Sequence, residues 1–117
     1  MLRAVEGCPF CRIAGGDSRA KVLFADDDVV AFHDIAPKAP VHLLVIPRRH
    51  IASLAEATSE DASLLGKLLL AAAEAARRSG TVDAFRVVAN TGARSGQSVF
   101  HVHLHVLGGR HLAWPPG

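Results

Sequence analysis

The sequence predicts an α+β domain in which one antiparallel sheet lies against helices on one side. Two strand-like runs flank an acidic turn at residues 26–28, and a third run ends at Pro47. A long Leu- and Ala-rich stretch with helical spacing follows, and then two more strand-like runs. Short hairpin links favour antiparallel pairing, and a single long helix can cover one face of such a sheet.

Length and composition fit one domain that spans residues 1–117. The 117 residues are 50% hydrophobic and 21% charged, which is typical of a globular chain. The formal net charge is +2 and the basic residues are scattered, which argues against a polyanion-binding surface. We therefore expect no nucleic-acid partner, whereas a small anionic ligand is compatible with this charge.

We expect neither a targeting signal nor a membrane span. The amino terminus lacks a long apolar run, and the most apolar stretch, LLGKLLLAAA, is short and carries Lys67. The cysteines, Cys8 and Cys11, are spaced poorly for a structural disulfide. The sequence therefore predicts a cytoplasmic protein that does not bind membranes.

The first half of the chain predicts one short helix and three strands. Residues 8–14 are expected to begin a short helix. KVLFADD and VVAFHDI form a predicted hairpin around the acidic turn. APKAP is a proline-containing loop, and HLLVIP is the third strand, which Pro47 ends.

The long helix is predicted to begin after Thr58. Thr58 can cap its amino terminus, and Asp61 three residues later completes an approximate capping box. Arg77 and Arg78 suit the negative end of the helix dipole, and Gly80 is expected just past the last turn. Apolar residues occupy one helical face, which predicts a packed core surface. They are Ala62, Leu65, Leu68, Leu69, Ala72, Ala73 and Ala76.

The last third of the chain predicts two strands around a Gly- and Ser-rich loop. FRVVAN is the fourth strand, TGARSGQS is the loop and VFHVHLHVL is the fifth strand. Alternate side chains of a strand point to opposite faces. His101, His103 and His105 should therefore share one face, while Val102 and Leu104 share the other.

A row of three histidines is compatible with several kinds of chemistry. Neighbours on one face are about 6.6–7 Å apart and the outer two about 13–14 Å, so one metal bound by all three is not favoured. A solvated His-rich face and a division of labour among the rings are the alternatives. The preceding loop favours the second, because its backbone N–H groups can hold a phosphate beside a nucleophilic imidazole. Ordinary hairpin loops, however, have the same composition.

Three stretches closely resemble the histidine triad nucleotide-binding proteins, a family with a His-x-His-x-His motif. They are SGQSVFHVHLHVLGGR, the terminal WPPG and AFHDIAPKAPVHLLVIPRRHI, and the resemblance covers residues 8–117. The Gln-Ser pair and WPPG are similar to the Hint branch rather than to the dinucleoside polyphosphate hydrolase branch.

This resemblance implies a fold and an assembly. The expected fold is a five-stranded antiparallel sheet with one long and one short helix. Its core would span residues 8–107, and the tail at residues 108–117 would lie near the active site. Two such sheets would join into a ten-stranded sheet in a homodimer, with Trp114 close to the partner's active site.

The resemblance also implies catalytic roles for four residues. The middle histidine of the family motif is the nucleophile, which corresponds to His103, and a backbone carbonyl of the same strand anchors its second ring nitrogen. It attacks the α-phosphorus of a nucleotide, and water then releases the nucleoside monophosphate. His105 corresponds to a histidine that contacts the phosphate and leaving group, and Ser98 to a serine that donates to the departing nitrogen. His42 corresponds to a further active-site histidine, although a half-buried structural residue is an equal alternative.

The remaining nucleotide contacts follow from the same resemblance. Asp34 corresponds to a carboxylate that accepts from both ribose hydroxyls, although it can also be a turn residue. The apolar slot for a purine base would contain Phe10, Ile13, Phe32 and Ile35, with His33 nearby. The phosphate site would contain Asn90, Gly96, Gln97, Ser98, His103 and His105. Each apolar residue of the slot is equally compatible with a plain core position.

The CPFC stretch can be a redox pair, half of a zinc site or a chance pattern. Redox use is usually associated with a βαβ pattern, which the chain lacks. A structural zinc ion needs four Cys or His ligands. The resemblance to zinc-binding members of the branch implies that these are Cys8, Cys11, His50 and His101. Such a Zn²⁺ would stabilise the fold without taking part in catalysis, and no organic cofactor is expected.

The predicted activity is hydrolysis of the P–N bond of purine nucleoside phosphoramidates, such as AMP joined to lysine or another amine, or an aminoacyl-adenylate adduct. Three alternatives are a dinucleoside polyphosphate hydrolase, a nucleotide-binding regulatory or scaffold protein with incidental activity, and a metalloenzyme that uses the histidine row with zinc. The physiological leaving group and the preference between adenine and guanine do not follow from the sequence.

Overall fold

The computed structural model describes residues 4–16 and 19–117. Within them, two α-helices accompany one five-stranded sheet. The helices are α1 (Pro9–Ala14) and α2 (Ala62–Arg78), and the strands are β1 (Val22–Ala25), β2 (Val29–His33), β3 (Val41–Pro47), β4 (Phe85–Val88) and β5 (Leu104–Gly108). The strand order is β1-β2-β3-β5-β4 with antiparallel neighbours throughout. This confirms the α+β class, the antiparallel sheet and the two helices of unequal length.

Helix α2 begins one turn later than the sequence predicts. The capping box forms, since the Thr58 N–H donates to Asp61 Oδ2 at 2.9 Å. It closes the 3-10 turn Ser59–Asp61, however, and the α-helix itself starts at Ala62. At the other end Gly80 has a φ of +76°, the left-handed conformation that glycine adopts readily just past a helix.

The apolar face of α2 packs on one face of the sheet. Leu68 is 1% exposed, and the small side chains of Ala72, Ala75 and Ala76 let the helix approach the strands closely. The strand residues in this cluster include Leu43 and Val45 from β3 and Leu104 and Val106 from β5. The predicted core role of the Leu and Ala stripe is confirmed at Leu68, Ala72 and Ala76, whereas Ala62 and Leu69 are exposed.

Helix α1 packs on the opposite face of the sheet, so the prediction of helices on one side only is wrong. Its buried residues Phe10 and Cys11 contact Phe32 from β2 and Leu44 from β3. Strand alternation explains how both faces can be apolar, because β2 and β3 are buried on both sides. The six-residue α1 was too short for its covered face to be predicted.

The histidine row keeps its predicted faces although the strand is shorter than expected. Strand β5 starts at Leu104, and the Val102 N–H donates to the carbonyl of Ile51 instead of pairing with β3. Val102 and Leu104 nevertheless pack against α2, while His103 faces the other side of the sheet. Among the described residues, no helix is long and apolar enough to cross a membrane.

Candidate active site

A cavity of about 620 Å³ opens on the face of the sheet that carries α1. Its lining contains nine residues from the expected nucleotide site: Phe10, Ile13, Phe32, His33, Asp34, Ile35, Ser98, His103 and His105. The lining is mostly apolar, and the imidazoles and the Ser98 hydroxyl supply polar atoms. The cavity thus combines a surface suited to a flat apolar group with groups suited to proton transfer.

His103 is held in one tautomer by the backbone. Its Nδ1 lies 2.8 Å from the carbonyl oxygen of His101, which can only accept a hydrogen bond. Nδ1 must therefore carry the proton, which leaves the Nε2 lone pair of the neutral ring free. The ring of Phe10 meets His103 edge-on with centroids 5.0 Å apart and restricts its rotation. His103 is accordingly arranged to act as a nucleophile or a base at Nε2.

His42 and His105 form a directional hydrogen-bond chain. The Lys38 backbone N–H donates to His42 Nδ1 at 3.0 Å, so the proton of a neutral His42 ring lies on Nε2. This Nε2 is 2.9 Å from His105 Nδ1 and donates to it. The proton of His105 then lies on its own Nε2, since its Nδ1 is an acceptor. His105 is therefore a hydrogen-bond donor at Nε2.

Burial keeps both of these rings uncharged near neutral pH. Desolvation is the main cause that lowers the pKa of His105 to about 4, and the neighbouring His103 and His42 lower it further. Desolvation likewise lowers the pKa of His42, partly opposed by the carboxylate of Asp34. Neutral rings are what the tautomer assignments above require.

Asp34 makes a turn contact and also faces the cavity. Its Oδ1 accepts from the Ala36 N–H at 2.8 Å, which is a turn contact, and it also lines the cavity. Its Oδ2 lies 3.3 Å from His42 Nε2. Asp34, His42 and His105 thus present three potential metal ligands within 4.8 Å. A metal does not fit them, because the Lys38 bond keeps the Nε2 of neutral His42 protonated.

The loop before β5 reaches the cavity through Ser98. Gln97 braces this loop and does not itself line the cavity. Its Oε1 accepts from the Gly92 N–H at 2.9 Å, its Nε2 donates to the Ala52 carbonyl at 2.8 Å, and its own N–H donates to the Gly92 carbonyl. Asn90 and Gly96 lie beside each other but outside the cavity lining.

The four expected zinc ligands come together behind the cavity. Cys8 Sγ lies 3.4 Å from His101 Nδ1, Cys11 Sγ lies 3.4 Å from His50 Nδ1, and the two Nδ1 atoms are 3.1 Å apart. His101 Nε2 lies 2.8 Å from the Pro47 carbonyl, so Nε2 carries the proton and the Nδ1 lone pair faces the thiols.

These donors fit a metal. Two thiols and two imidazole nitrogens are the donor set of a closed tetrahedral zinc site, and all four donor atoms lie within 4.8 Å of one another. Burial lowers the pKa of His101 to about 4 and raises the pKa of the Cys11 thiol. The ring of His101 is thus neutral at physiological pH, as ligation requires.

Comparison with known proteins places this arrangement in a family. The family model described as "HIT domain", for histidine triad, matches residues 16–112. The chain belongs to the HIT domain family. Its relatives include an uncharacterized HIT-like protein of Synechococcus elongatus, 50% identical over 112 residues, which are 96% of this chain and 98% of the relative.

Solved HIT structures agree with the fold described above. A HIT family hydrolase from Legionella pneumophila superposes with a TM-score of 0.92 and 45% identity, over 95% of this chain and 100% of that one. A HIT family hydrolase from Clostridium thermocellum gives 0.89 and 37%, over 93% and 96% of the two chains.

Five residues line the HIT cavity that the sequence did not indicate. They are Arg19, Ala20, Lys21, Leu44 and Val99. Leu44 lies opposite Phe32 across the β2–β3 pair, so the pairing register would have revealed it. The backbone carbonyl of Lys21 accepts from the His33 N–H at 3.0 Å. This contact depends on the path of the chain just before β1. Sequence spacing carries no signal for such a cross-strand neighbour.

Proposed function

We propose that this HIT protein is a hydrolase that cleaves the P–N bond of purine nucleoside phosphoramidates through a covalent intermediate on His103. The observation that carries the proposal is the hydrogen bond between His103 Nδ1 and the His101 carbonyl, because it leaves the Nε2 lone pair free on the cavity side. A nucleophilic histidine divides one difficult displacement at phosphorus into two easier ones.

The first step transfers the nucleotidyl group to His103. The Nε2 lone pair attacks the α-phosphorus, a new P–N bond to the ring forms, and the P–N bond of the substrate breaks. The leaving amine takes the bonding electron pair and a proton from solvent in the open cavity, while the Nε2–H of His105 donates a hydrogen bond to the phosphate. Ser98 lines the same cavity and can donate a hydrogen bond to the departing nitrogen.

The second step returns the enzyme to its starting state. A water oxygen attacks the phosphorus, the bond to His103 breaks, and its electron pair returns to Nε2. The proton of the water passes to solvent in the open cavity. The products are a nucleoside monophosphate and an amine, such as lysine.

The lining of the cavity supports a purine nucleotide. Phe10 and Phe32 stand edge to face at 5.6 Å, and together with Ile13 they offer an apolar wall for a planar base. We assign the ribose hydroxyls to Asp34. Its carboxylate lines the cavity together with the apolar wall and contacts His42. We assign the phosphate to Ser98, His103 and His105 in the cavity and to the loop residues Asn90, Gly96 and Gln97.

We further propose that the protein is a cytoplasmic Hint-like homodimer with a structural zinc ion. In such a dimer two sheets would join into ten strands. Strand β4 lies at an edge of the sheet and the tail places Trp114, 78% exposed, over the guanidinium of Arg86 at 5.7 Å. Large exposed aromatic side chains are typical of surfaces that a partner covers.

One assay panel tests the proposed reaction. Adenosine and guanosine phosphoramidates would be compared with diadenosine polyphosphates under one set of conditions, using the wild-type protein and His103→Asn. We expect turnover of phosphoramidates that the substitution abolishes without unfolding the protein. Faster cleavage of polyphosphates would favour the dinucleoside polyphosphate hydrolase instead, and tight AMP binding without turnover would favour a binding protein.

A further inference from the structure

One residue connects the Cys8, Cys11, His50 and His101 cluster to the nucleophile. The side chain of His101 is fully buried and places Nδ1 among the two thiols and His50. The backbone carbonyl of the same residue accepts the hydrogen bond from His103 Nδ1 at 2.8 Å. The position of a single peptide group therefore depends on the cluster and determines the tautomer of His103.

A second contact runs through helix α1. Cys8 caps this helix and Cys11 lies within it, and between them in sequence Phe10 points toward the cavity. The ring of Phe10 lies 6.0 Å from the ring of His101 and 5.0 Å from that of His103, edge-on in both cases. A shift of α1 would therefore move the Phe10 ring, which packs against His103.

The donor atoms of the cluster converge on one another, as they would around a cation. The Nδ1 atoms of His50 and His101 are 3.1 Å apart, and the Nε2–H of His101 is committed to the Pro47 carbonyl. The Nδ1 lone pair of His101 thus faces His50 and the sulfur atoms. A bound cation gives these donors a common centre, whereas without it weak thiol–imidazole hydrogen bonds hold the donors in place.

We infer that the metal cluster controls the reactivity of His103, with His101 as a positioning residue between them. A cation held by the four side chains fixes the His101 ring and its peptide group, and the carbonyl then keeps His103 in the Nδ1–H tautomer with a free Nε2. Loss of the cation relaxes this peptide group and lets His103 populate the Nε2–H tautomer, which cannot attack phosphorus. The predicted effect on the tautomer of His103 is independent of the proposed function, whereas the predicted effect on the reaction rate rests on it.

The predicted effect is therefore on the chemical step. Outer contacts that orient a reactive ring typically contribute about 10–100-fold, so we expect metal removal to lower kcat about tenfold. KM should change little, since the residues Phe32 and Asp34 that we assign to the base and ribose do not belong to the cluster. Loss of a purely structural metal would lower the unfolding temperature without altering the tautomer of His103 in the folded protein.

The test compares Zn²⁺-loaded protein, chelator-treated protein and Cys11→Ser. The ¹⁵N histidine spectrum reports the His103 tautomer, with His103→Asn used for assignment, and kcat and KM for an adenosine phosphoramidate are measured alongside. Leu68→Ala, in the core under α2, is the control for lost stability alone. All measurements are made at a temperature where circular dichroism shows every sample folded.

We expect the loaded protein to show the Nδ1–H tautomer and the metal-free samples to show a mixture. The fall in kcat should be reversed by Zn²⁺ or Cd²⁺ in the chelator-treated wild type but not in Cys11→Ser, and Leu68→Ala should retain the tautomer and kcat. An unchanged tautomer in folded, metal-free protein would overturn the inference, as would failure of the cluster to take up either metal. If the tautomer follows the metal but no phosphoramidate is cleaved, the proposed function fails and the coupling stands.

Discussion

The Nε2 atom of His42 lies 2.9 Å from the Nδ1 atom of His105, and the backbone N–H of Lys38 fixes the direction of this hydrogen bond. A main-chain group thereby decides which nitrogen of a ring two contacts away carries a proton. His42 is buried and orients the Nε2–H of His105, so we propose it as a positioning residue for the reaction.

Replacing His42 separates its donor function from its volume. Glutamine can place an N–H near the position of the imidazole Nε2, whereas leucine fills similar space without a donor. We expect His42→Leu to lower kcat about 10–100-fold with a small change in KM, because His105 loses the contact that orients its proton. His42→Gln should retain more of the activity, and equal losses in both variants would contradict this role.

Stability should fall as the pH falls below 6.5. His105 has a pKa of about 4 in the folded protein, against an ordinary value of 6.5, because it is buried and faces His42 and His103, with Asp34 as the opposing charge. Between these pH values the unfolded chain binds a proton that the folded chain does not, so acid favours unfolding.

The size of this pH effect can be isolated by one variant. At pH 5 we expect His105 to have reduced the free energy of unfolding by about 1–2 kcal/mol relative to pH 7. Urea denaturation at both values, compared with His105→Asn, measures the contribution. The variant should lose that much less stability than the wild type, and identical pH dependence in both proteins would refute the assignment.

The packing of α2 predicts a contrast between two leucines that lie two residues apart in sequence. Leu68 is 1% exposed in the core, whereas Leu70 is 70% exposed. We expect Leu68→Ala to reduce the free energy of unfolding by about 2–5 kcal/mol, because it leaves a cavity under the helix. Leu70→Ala should change it by less than about 0.5 kcal/mol. Urea titrations of both variants measure these changes. Similar losses of unfolding free energy in the two variants would mean that the buried face of α2 is wrongly assigned.

Two cations at the cavity predict an electrostatic contribution to substrate capture. Arg19 and Lys21 line the cavity, and the substrates proposed here carry a negative phosphate. We expect Arg19→Gln combined with Lys21→Gln to raise KM about two- to fivefold at low salt, with the difference shrinking at high salt because ions screen the attraction. Arg77→Gln, on α2 and paired with Glu74, is the control. A salt-independent difference would point to a direct contact instead.

Local patterns in the sequence were sufficient for the sheet, the long helix and the faces of the histidine row. The alternation of histidine and apolar residues correctly predicted that Val102 and Leu104 lie in the core. The capping pair Thr58 and Asp61 predicted the start of the helix to within one turn. These features depend on neighbours in sequence. The position of α1 was different, since a helix of six residues has no periodicity that identifies the surface it will cover.

The site was predictable where a family motif specifies it and less so where the contact is made by backbone. The resemblance brought together the correct four candidate metal ligands and most of the cavity lining. It did not indicate that Gln97 would use its side chain to brace the loop, nor that Lys38 would orient His42. Both contacts involve main-chain groups, which every residue carries and no sequence pattern distinguishes.

The central claim is that His103 carries the covalent intermediate, and rapid quenching of the reaction followed by mass spectrometry of the peptides tests it most directly. The wild-type protein, mixed with an adenosine phosphoramidate, should show the nucleotidyl group on His103 at early times, and His103→Asn should show neither the adduct nor turnover. A nucleotidyl group on another residue, or turnover by His103→Asn, would contradict the account.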